Sequence, residues 1–162
     1  MTSLSYRALR AEDVDAVFDA AREAWHFTYA TIFDAAFIDQ FVSTNYAPDR
    51  LRALVPMVAA RQMFFDVALD GSRIIGFCNI GLTPRGAELF RVYLRPAYIG
   101  MGVGSGLLER GEHFLRMRGA PCYHCFVHKD NELGKQFYLR RGFRHVFASD
   151  RNDEWYMEKG LS

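Results

Sequence analysis

The chain has 162 residues, half of them hydrophobic, and a formal net charge of +1. That length reads as one domain with a real core, and the balanced charge offers no general attraction to nucleic acid or an anionic membrane. No apolar run approaches the ~20 residues of a membrane span, and the opening Met1-Thr-Ser-Leu-Ser-Tyr-Arg7 lacks a signal peptide's apolar centre. Three cysteines (Cys78, Cys122, Cys125) make no disulfide framework, so the cytoplasm is the expected compartment.

In chain order, residues 4–10 alternate and read as a strand. Val14, Val17, Phe18, Ala21 and Trp25 then fall at helical spacing, with Glu12 and Asp13 where acids suit the helix dipole. This helix runs to Tyr29, which shares a face with Trp25 four residues earlier. Shorter helices follow over 34–43 and 48–60, the latter opened by Pro48. Residues 63–69 and 73–82 read as strands around the hairpin signal Asp70-Gly71, and 87–94 as a third strand of an antiparallel meander. After a glycine-rich turn, a helix starting near Ser105 ends by Gly119. The strand 123–127 lies beyond this strand–helix crossover and so runs parallel to its predecessor. A helix over 131–141 stops at Gly142, and strands 143–148 and 154–159 close the chain. The order gives an α/β fold: a mixed sheet with helices on both faces and two parallel strands whose ends can splay into a cleft.

The glycine turn lies at that cleft. Glycines 100, 102, 104 and 106 let the backbone approach a ligand, and the helix start that follows offers unpaired N–H groups to a phosphate. A Walker loop is excluded because no lysine occurs between residues 91 and 128. The dinucleotide fingerprint also fails: counted from Gly100 the register is wrong, and counted from Gly102 the third glycine place is Leu107. The pairs Arg116/Arg118 and Arg140/Arg141 read as solvated helix faces. Cys122, Cys125 and His128 sit on one strand, where alternation turns Cys125 away from the other two, so no metal site is expected.

The element order, the run Val92-Tyr-Leu-Arg-Pro-Ala-Tyr-Ile-Gly-Met-Gly-Val-Gly-Ser-Gly-Leu-Leu108 and the later Asn131…Phe137-Tyr-Leu-Arg-Arg-Gly-Phe143 together resemble the GNAT superfamily of N-acetyltransferases. More narrowly, Glu23-Ala-Trp-His-Phe-Thr-Tyr29, Tyr123-His-Cys-Phe-Val-His-Lys-Asp-Asn131 and Trp155-Tyr-Met-Glu-Lys159 look like the PaiA-type branch, associated with polyamine acetylation. The resemblance implies acetyl-CoA as co-substrate. Its pyrophosphate would rest on the backbone of Ile99, Gly100, Met101, Gly102, Val103, Gly104 and Ser105. Its pantetheine arm would pair with Val92, Tyr93 and Leu94, and Asn131 would touch that arm. The superfamily usually carries Arg or Gln where this chain has Ile99, which leaves the phosphate to backbone N–H groups.

By the same resemblance, Tyr138 is the acid near the cofactor sulfur; a phenol of reference pKa ≈ 10 is protonated at neutral pH. Glu88, on the strand entering the cleft, is the first candidate for the base, and His26 the alternative, since its reference pKa suits neutral-pH proton transfer. Trp25, His26 and Tyr29 are candidates for the acceptor pocket, where an aromatic wall suits a cationic amine. The expected reaction is direct attack by a primary amine, including polyamines such as spermidine or spermine. Acetylation of a protein or peptide N-terminus, and CoA binding without turnover, are the alternatives. A homodimer is left open.

Overall fold

The computed structural model describes residues 3–162. Met1 and Thr2, the first two residues of the segment read for a signal peptide, lie outside the described residues. The strands are β1 (Leu4–Ala8), β2 (Phe64–Asp70), β3 (Arg73–Thr83), β4 (Gly86–Leu94), β5 (Cys122–His128), β6 (Arg144–His145) and β7 (Glu154–Gly160). The helices are α1 (Val14–Tyr29), α2 (Ala35–Asn45), α3 (Pro48–Ala59), α4 (Val103–Arg116) and α5 (Glu132–Arg140). All seven strands join one sheet in the order β1-β2-β3-β4-β5-β7-β6. No helix among the described residues is long and apolar enough to cross a membrane.

Local chemistry sets where the elements begin and end. β1 stops at Ala8 rather than reaching residue 10, because the Asp13 carboxylate takes the Arg10 N–H (2.8 Å) and both terminal nitrogens of the Arg7 guanidinium (2.6 and 3.0 Å). The chain there turns into a short 3-10 segment. Asp34 caps α2 by accepting from the Phe37 N–H, and Asn131 caps α5 by accepting from the Gly134 N–H. The last-but-one strand shrinks from the expected 143–148 to two residues, because residues 147–149 form a 3-10 turn.

The sheet divides two cores. α4 lies on one face, where Val103, Leu107, Leu108 and Leu115 pack with Ile75, Ile80, Leu89, Cys125 and Met157. The other face is covered by α1, α2 and α3 through Val17, Ala21, Ile38, Val42 and Leu51, against Phe65, Val67 and Phe77. Each fully buried Val, Leu or Ile side chain contributes about 1.5–3 kcal/mol by leaving water.

Two irregularities open the sheet. β4 pairs with β5 in parallel at only two rungs, Ala87 with Tyr123 and Glu88 with His124. Just above them the β3–β4 register slips: Ile80 faces Leu89 and Asn79 faces Arg91, so Phe90 is bulged out. Beyond that bulge β4 and β5 diverge. β5 keeps its full antiparallel pairing with β7, so the main chain of β4 from Leu89 to Leu94 has a free edge on the β5 side.

A cluster of tyrosines, three buried and Tyr93 half-buried, lies beside the splay. Burial pushes the Tyr46 phenol up to about 12 and raises those of Tyr29, Tyr93 and Tyr138 as well. An unfolded chain releases these protons near pH 10 while the folded chain retains them, so their stabilising effect is complete below that pH and is lost above it. Each costs up to about 1.4 kcal/mol per pH unit in that range. The urea midpoint is therefore expected to hold steady up to about pH 9.5 and to fall steeply by about pH 11. A midpoint unchanged over that interval would contradict the burial of these phenols.

Candidate active site

The splay holds a cavity of about 330 Å³. Its walls are Leu89 to Leu94 of β4, Phe126 and Val127 of β5, the turn and first residues of α4, the α5 face bearing Asn131, Phe137 and Tyr138, and Tyr29 at the end of α1.

The turn into α4 has the form of an anion cradle. Gly100 (φ +83°) and Gly102 (φ +82°) take left-handed conformations, and a Cβ at either would point into open space, so their backbone is left bare. Helix α4 begins at Val103, two residues earlier than expected, because Gly102 ends the turn and its carbonyl accepts the Gly106 N–H at 3.0 Å. Gly104 and Gly106 are thus helical glycines kept small by close packing. A Cβ on Gly104 would sit 3.1 Å from the Phe137 ring, and one on Gly106 would meet the Tyr6 hydroxyl.

Two groups at this end are buried without a partner: the Ser105 hydroxyl and the Arg141 Nε. Both residues line the cavity, as does Arg140. Unsatisfied donors beside a helix N-terminus are what a phosphate satisfies, so the residues present fit a phosphate-bearing group. The arginine pair was read from sequence as a solvated face. The spacing of α5 put it on one helical turn, but only the tertiary fold shows that turn facing the cleft. Ile99 also lines the cavity and brings no charge. Met101 points to solvent and Val103 is fully buried in the core, and neither lines the cavity.

Tyr138 also lines the cavity, 9 % exposed, with its ring edge-on to Phe137 and Phe143. Burial holds its phenol well above the ordinary value and therefore protonated. Its hydroxyl has no hydrogen-bond partner among the described residues. Opposite it, the Tyr29 hydroxyl shares a 2.8 Å hydrogen bond with Tyr93 and accepts from the Asn131 Nδ2 at 3.4 Å. Asn131 thus has one polar end on Tyr29 and the other on the α5 N-cap while lining the cavity.

The remaining candidates lie off the cavity wall. Trp25 is in the core: its indole N–H donates to Tyr46 (3.2 Å), and its ring stacks on Phe41 and backs Tyr29 at 4.2 Å each. His26 is on another side of α1, where its Nε2 meets Asp39 at 2.7 Å. That bond is the main cause of a lowered Asp39 carboxyl pKa. Glu88 sits at the last paired rung, at the root of the splay, with its carboxylate 3.2 Å from the His124 Nε2. His124 had no signal in the sequence beyond its place on β5. It is almost fully buried, and Tyr156 stacks on it at 4.9 Å.

A strand–turn–helix anion cradle, a sheet opened between two parallel strands and an unpartnered tyrosine in the gap define an acyl-CoA transferase architecture. The sequence profile described as the acetyltransferase (GNAT) family matches residues 14–143, and the chain belongs to that family: it is an acetyl-CoA-dependent acetyltransferase. It is 32% identical over 158 residues to a spermidine N(1)-acetyltransferase of Thermoplasma acidophilum, with 97% of each chain covered. Among solved structures it superposes on the PaiA N-acetyltransferase of the same organism in complex with coenzyme A at a TM-score of 0.93, with 29% identity, 98% of this chain and 99% of that one covered. An acetyltransferase from Thermus thermophilus shares the fold at 17% identity and a TM-score of 0.74, with 99% and 100% covered.

Two substitutions test the anion cradle. Gly102→Asp puts a carboxylate and a Cβ into the bare turn, and acetyl-CoA binding measured by calorimetry is expected to be lost; retained affinity would remove the turn from the site. Arg141→Met is expected to weaken acetyl-CoA about tenfold or more, the size of a lost charge-assisted hydrogen bond. An unchanged Kd would show that Arg141 carries none of the phosphate charge.

Proposed function

We propose that this acetyltransferase moves the acetyl group of acetyl-CoA onto a primary amine of a small polycation of the spermidine type, by direct attack. The observation that carries this reading is the end-to-end similarity to a spermidine N(1)-acetyltransferase at 32% identity. We take the whole chain to act as one catalytic domain in the cytoplasm.

Bound acetyl-CoA supplies a thioester whose carbonyl carbon accepts the amine and whose sulfur departs as a thiolate. In this reading the backbone of Ile99 to Ser105, with Ser105 and Arg141, holds the phosphates, and the free β4 edge at Val92 to Leu94 aligns the pantetheine arm. Gly100 and Gly102 serve by leaving the backbone bare. Met101 and Val103 contribute main-chain groups alone.

An alkylammonium has a reference pKa near that of lysine, about 10.4, and must lose a proton before it attacks. The Glu88–His124 pair at the root of the splay, just off the cavity wall, is the base and takes the proton through an intervening water. An imidazole is better matched than a carboxylate to neutral-pH proton transfer, and the Glu88 carboxylate orients it and stabilises its charge. Tyr138, kept protonated by burial, holds the proton that the departing sulfur needs. Tyr29, held by Tyr93 and Asn131, shapes the acceptor side of the cavity. His26 has no part in this scheme because Asp39 engages it away from the cleft. Trp25 acts by supporting Tyr29 from the core.

Acetyl transfer should be measured across spermidine, spermine, amino acids and N-terminal peptides. Spermidine or spermine is expected to lead in kcat/KM; preference for a peptide N-terminus would overturn the acceptor reading. Tyr138→Phe is expected to lower kcat about a hundredfold with little change in acetyl-CoA affinity, and wild-type turnover would remove Tyr138 from the chemistry. Glu88→Gln and His124→Gln are each expected to lower kcat/KM by about a hundredfold and flatten the acid limb of the pH profile. A preserved profile in both would place the base elsewhere.

A further inference from the structure

The face of β5 and β7 turned away from α4 carries no residue of the core under α1, α2 and α3, and only Phe33, from the loop after α1, stands edge-on to His128 at its far end, at 5.3 Å. A strip of aromatic and acidic side chains runs along this face. At its root Glu88 meets His124, on which Tyr156 stacks. Further along, Phe126 stands edge-on to Tyr156 at 5.4 Å, and Glu154 follows, directly across from His128 in the sheet. Phe126 also lines the cavity, so the strip opens into the cleft.

A cation already lies on the strip. The Arg151 guanidinium carbon is 3.5 Å from the centroid of Phe126, and its Nε is 3.0 Å from a Glu154 carboxylate oxygen. An aromatic face and a carboxylate together are the chemistry that holds an alkylammonium. Arg151 comes from the turn before β7, where Asn152 has a positive φ, and its side chain is half exposed. The neighbouring acids have other partners: Asp153 pairs with Lys129, Asp150 with His145 and Glu158 with Arg144. Glu154 pairs with Arg151 instead. An exposed ion pair of this kind contributes little and gives way easily to a competing cation.

Resting on the polyamine reading above, we infer that Phe126 and Glu154 form a subsite for the second ammonium group of the acceptor, and that Arg151 occupies it in the acceptor-free enzyme. The spacing along β5 agrees with this. Phe126 is two residues from the Glu88–His124 rung and His128, opposite Glu154, is four, which is about 7 Å and about 13 Å along a strand. Three or four methylenes between nitrogens span about 5–6 Å. An amine delivered to the root of the splay therefore places its next nitrogen over Phe126, within reach of the Glu154 carboxylate that engages the guanidinium lying on that ring. A monoamine reaches neither. The arrangement selects acceptors by their second charge and leaves the reacting nitrogen to the cleft.

The test compares kcat/KM for 1,4-diaminobutane and n-butylamine in wild type, Arg151→Ala and Glu154→Gln, with the thermal midpoint of each recorded. Glu154→Gln is expected to lower the diamine-to-monoamine ratio about tenfold, and Arg151→Ala to raise it about threefold by vacating the ring. Phe126→Leu should lower it as well, read against its own acetyl-CoA Kd. A ratio that stays at the wild-type value in both charge variants overturns the subsite. So does a drop in both thermal midpoints with the ratio intact, which would make the pair a brace for the turn. If the wild type acetylates peptides and neither amine, the acceptor reading itself fails, a result distinct from an unchanged ratio.

Discussion

The structure depends on how little β4 and β5 share. Two parallel rungs hold them together, and the bulge at Phe90 turns β4 away immediately above. A fully paired sheet would satisfy the β4 main chain from Leu89 to Leu94 with β5 and leave no cavity. The divergence costs backbone hydrogen bonds that an extended ligand can restore, and it leaves an edge strand inside the molecule. The rest of the site follows from that opening. It lets α4 present its N-terminus to the cleft, gives Tyr138 a cavity to face and sets Glu88 and His124 at the root.

Charge is distributed around the opening with a clear division. One end carries the α4 N-terminus, Ser105, Arg140 and Arg141, which suit the phosphates of acetyl-CoA. The open face of β5 and β7 carries Glu88, Glu154 and aromatic rings, which suit a cation. With a net charge of only +1, the chain achieves this by placement rather than by composition. Ile99 is consistent with the same division: the positive charge absent from the turn is present on α5, one layer across the cavity. The buried tyrosines between the two ends form a neutral zone in which Tyr138 keeps its proton.

Much of this was legible in the sequence because periodicity and punctuation report local structure. The hairpin at Asp70-Gly71, the crossover that makes β5 parallel and the helix signals of α1 to α5 were all readable, and so was the splayed cleft. What escaped depends on contacts between distant segments. The start of α4 was misplaced because glycines 104 and 106 look like turn residues, whereas Phe137 and Tyr6 require them to be small within a helix. The shortening of β1 comes from the Asp13 carboxylate bonding back to Arg7, which no local propensity encodes. His124 meets Glu88 only through a cross-strand register, and Arg140 and Arg141 reach the cavity only through the docking of α5. Trp25 shares a face with Tyr29 but stacks on Phe41 one turn earlier, and His26 turns to Asp39, so of the three only Tyr29 lines the cavity.

The claim on which the account rests is that acetyl-CoA completes the free edge of β4. Hydrogen–deuterium exchange with and without acetyl-CoA measures this directly. Slowed exchange is expected in peptides covering Leu89 to Leu94 and Ile99 to Ser105, while the β1–β2 end of the sheet exchanges as before. Protection confined to other segments, with the β4 amides exchanging at the same rate in both states, would contradict the account.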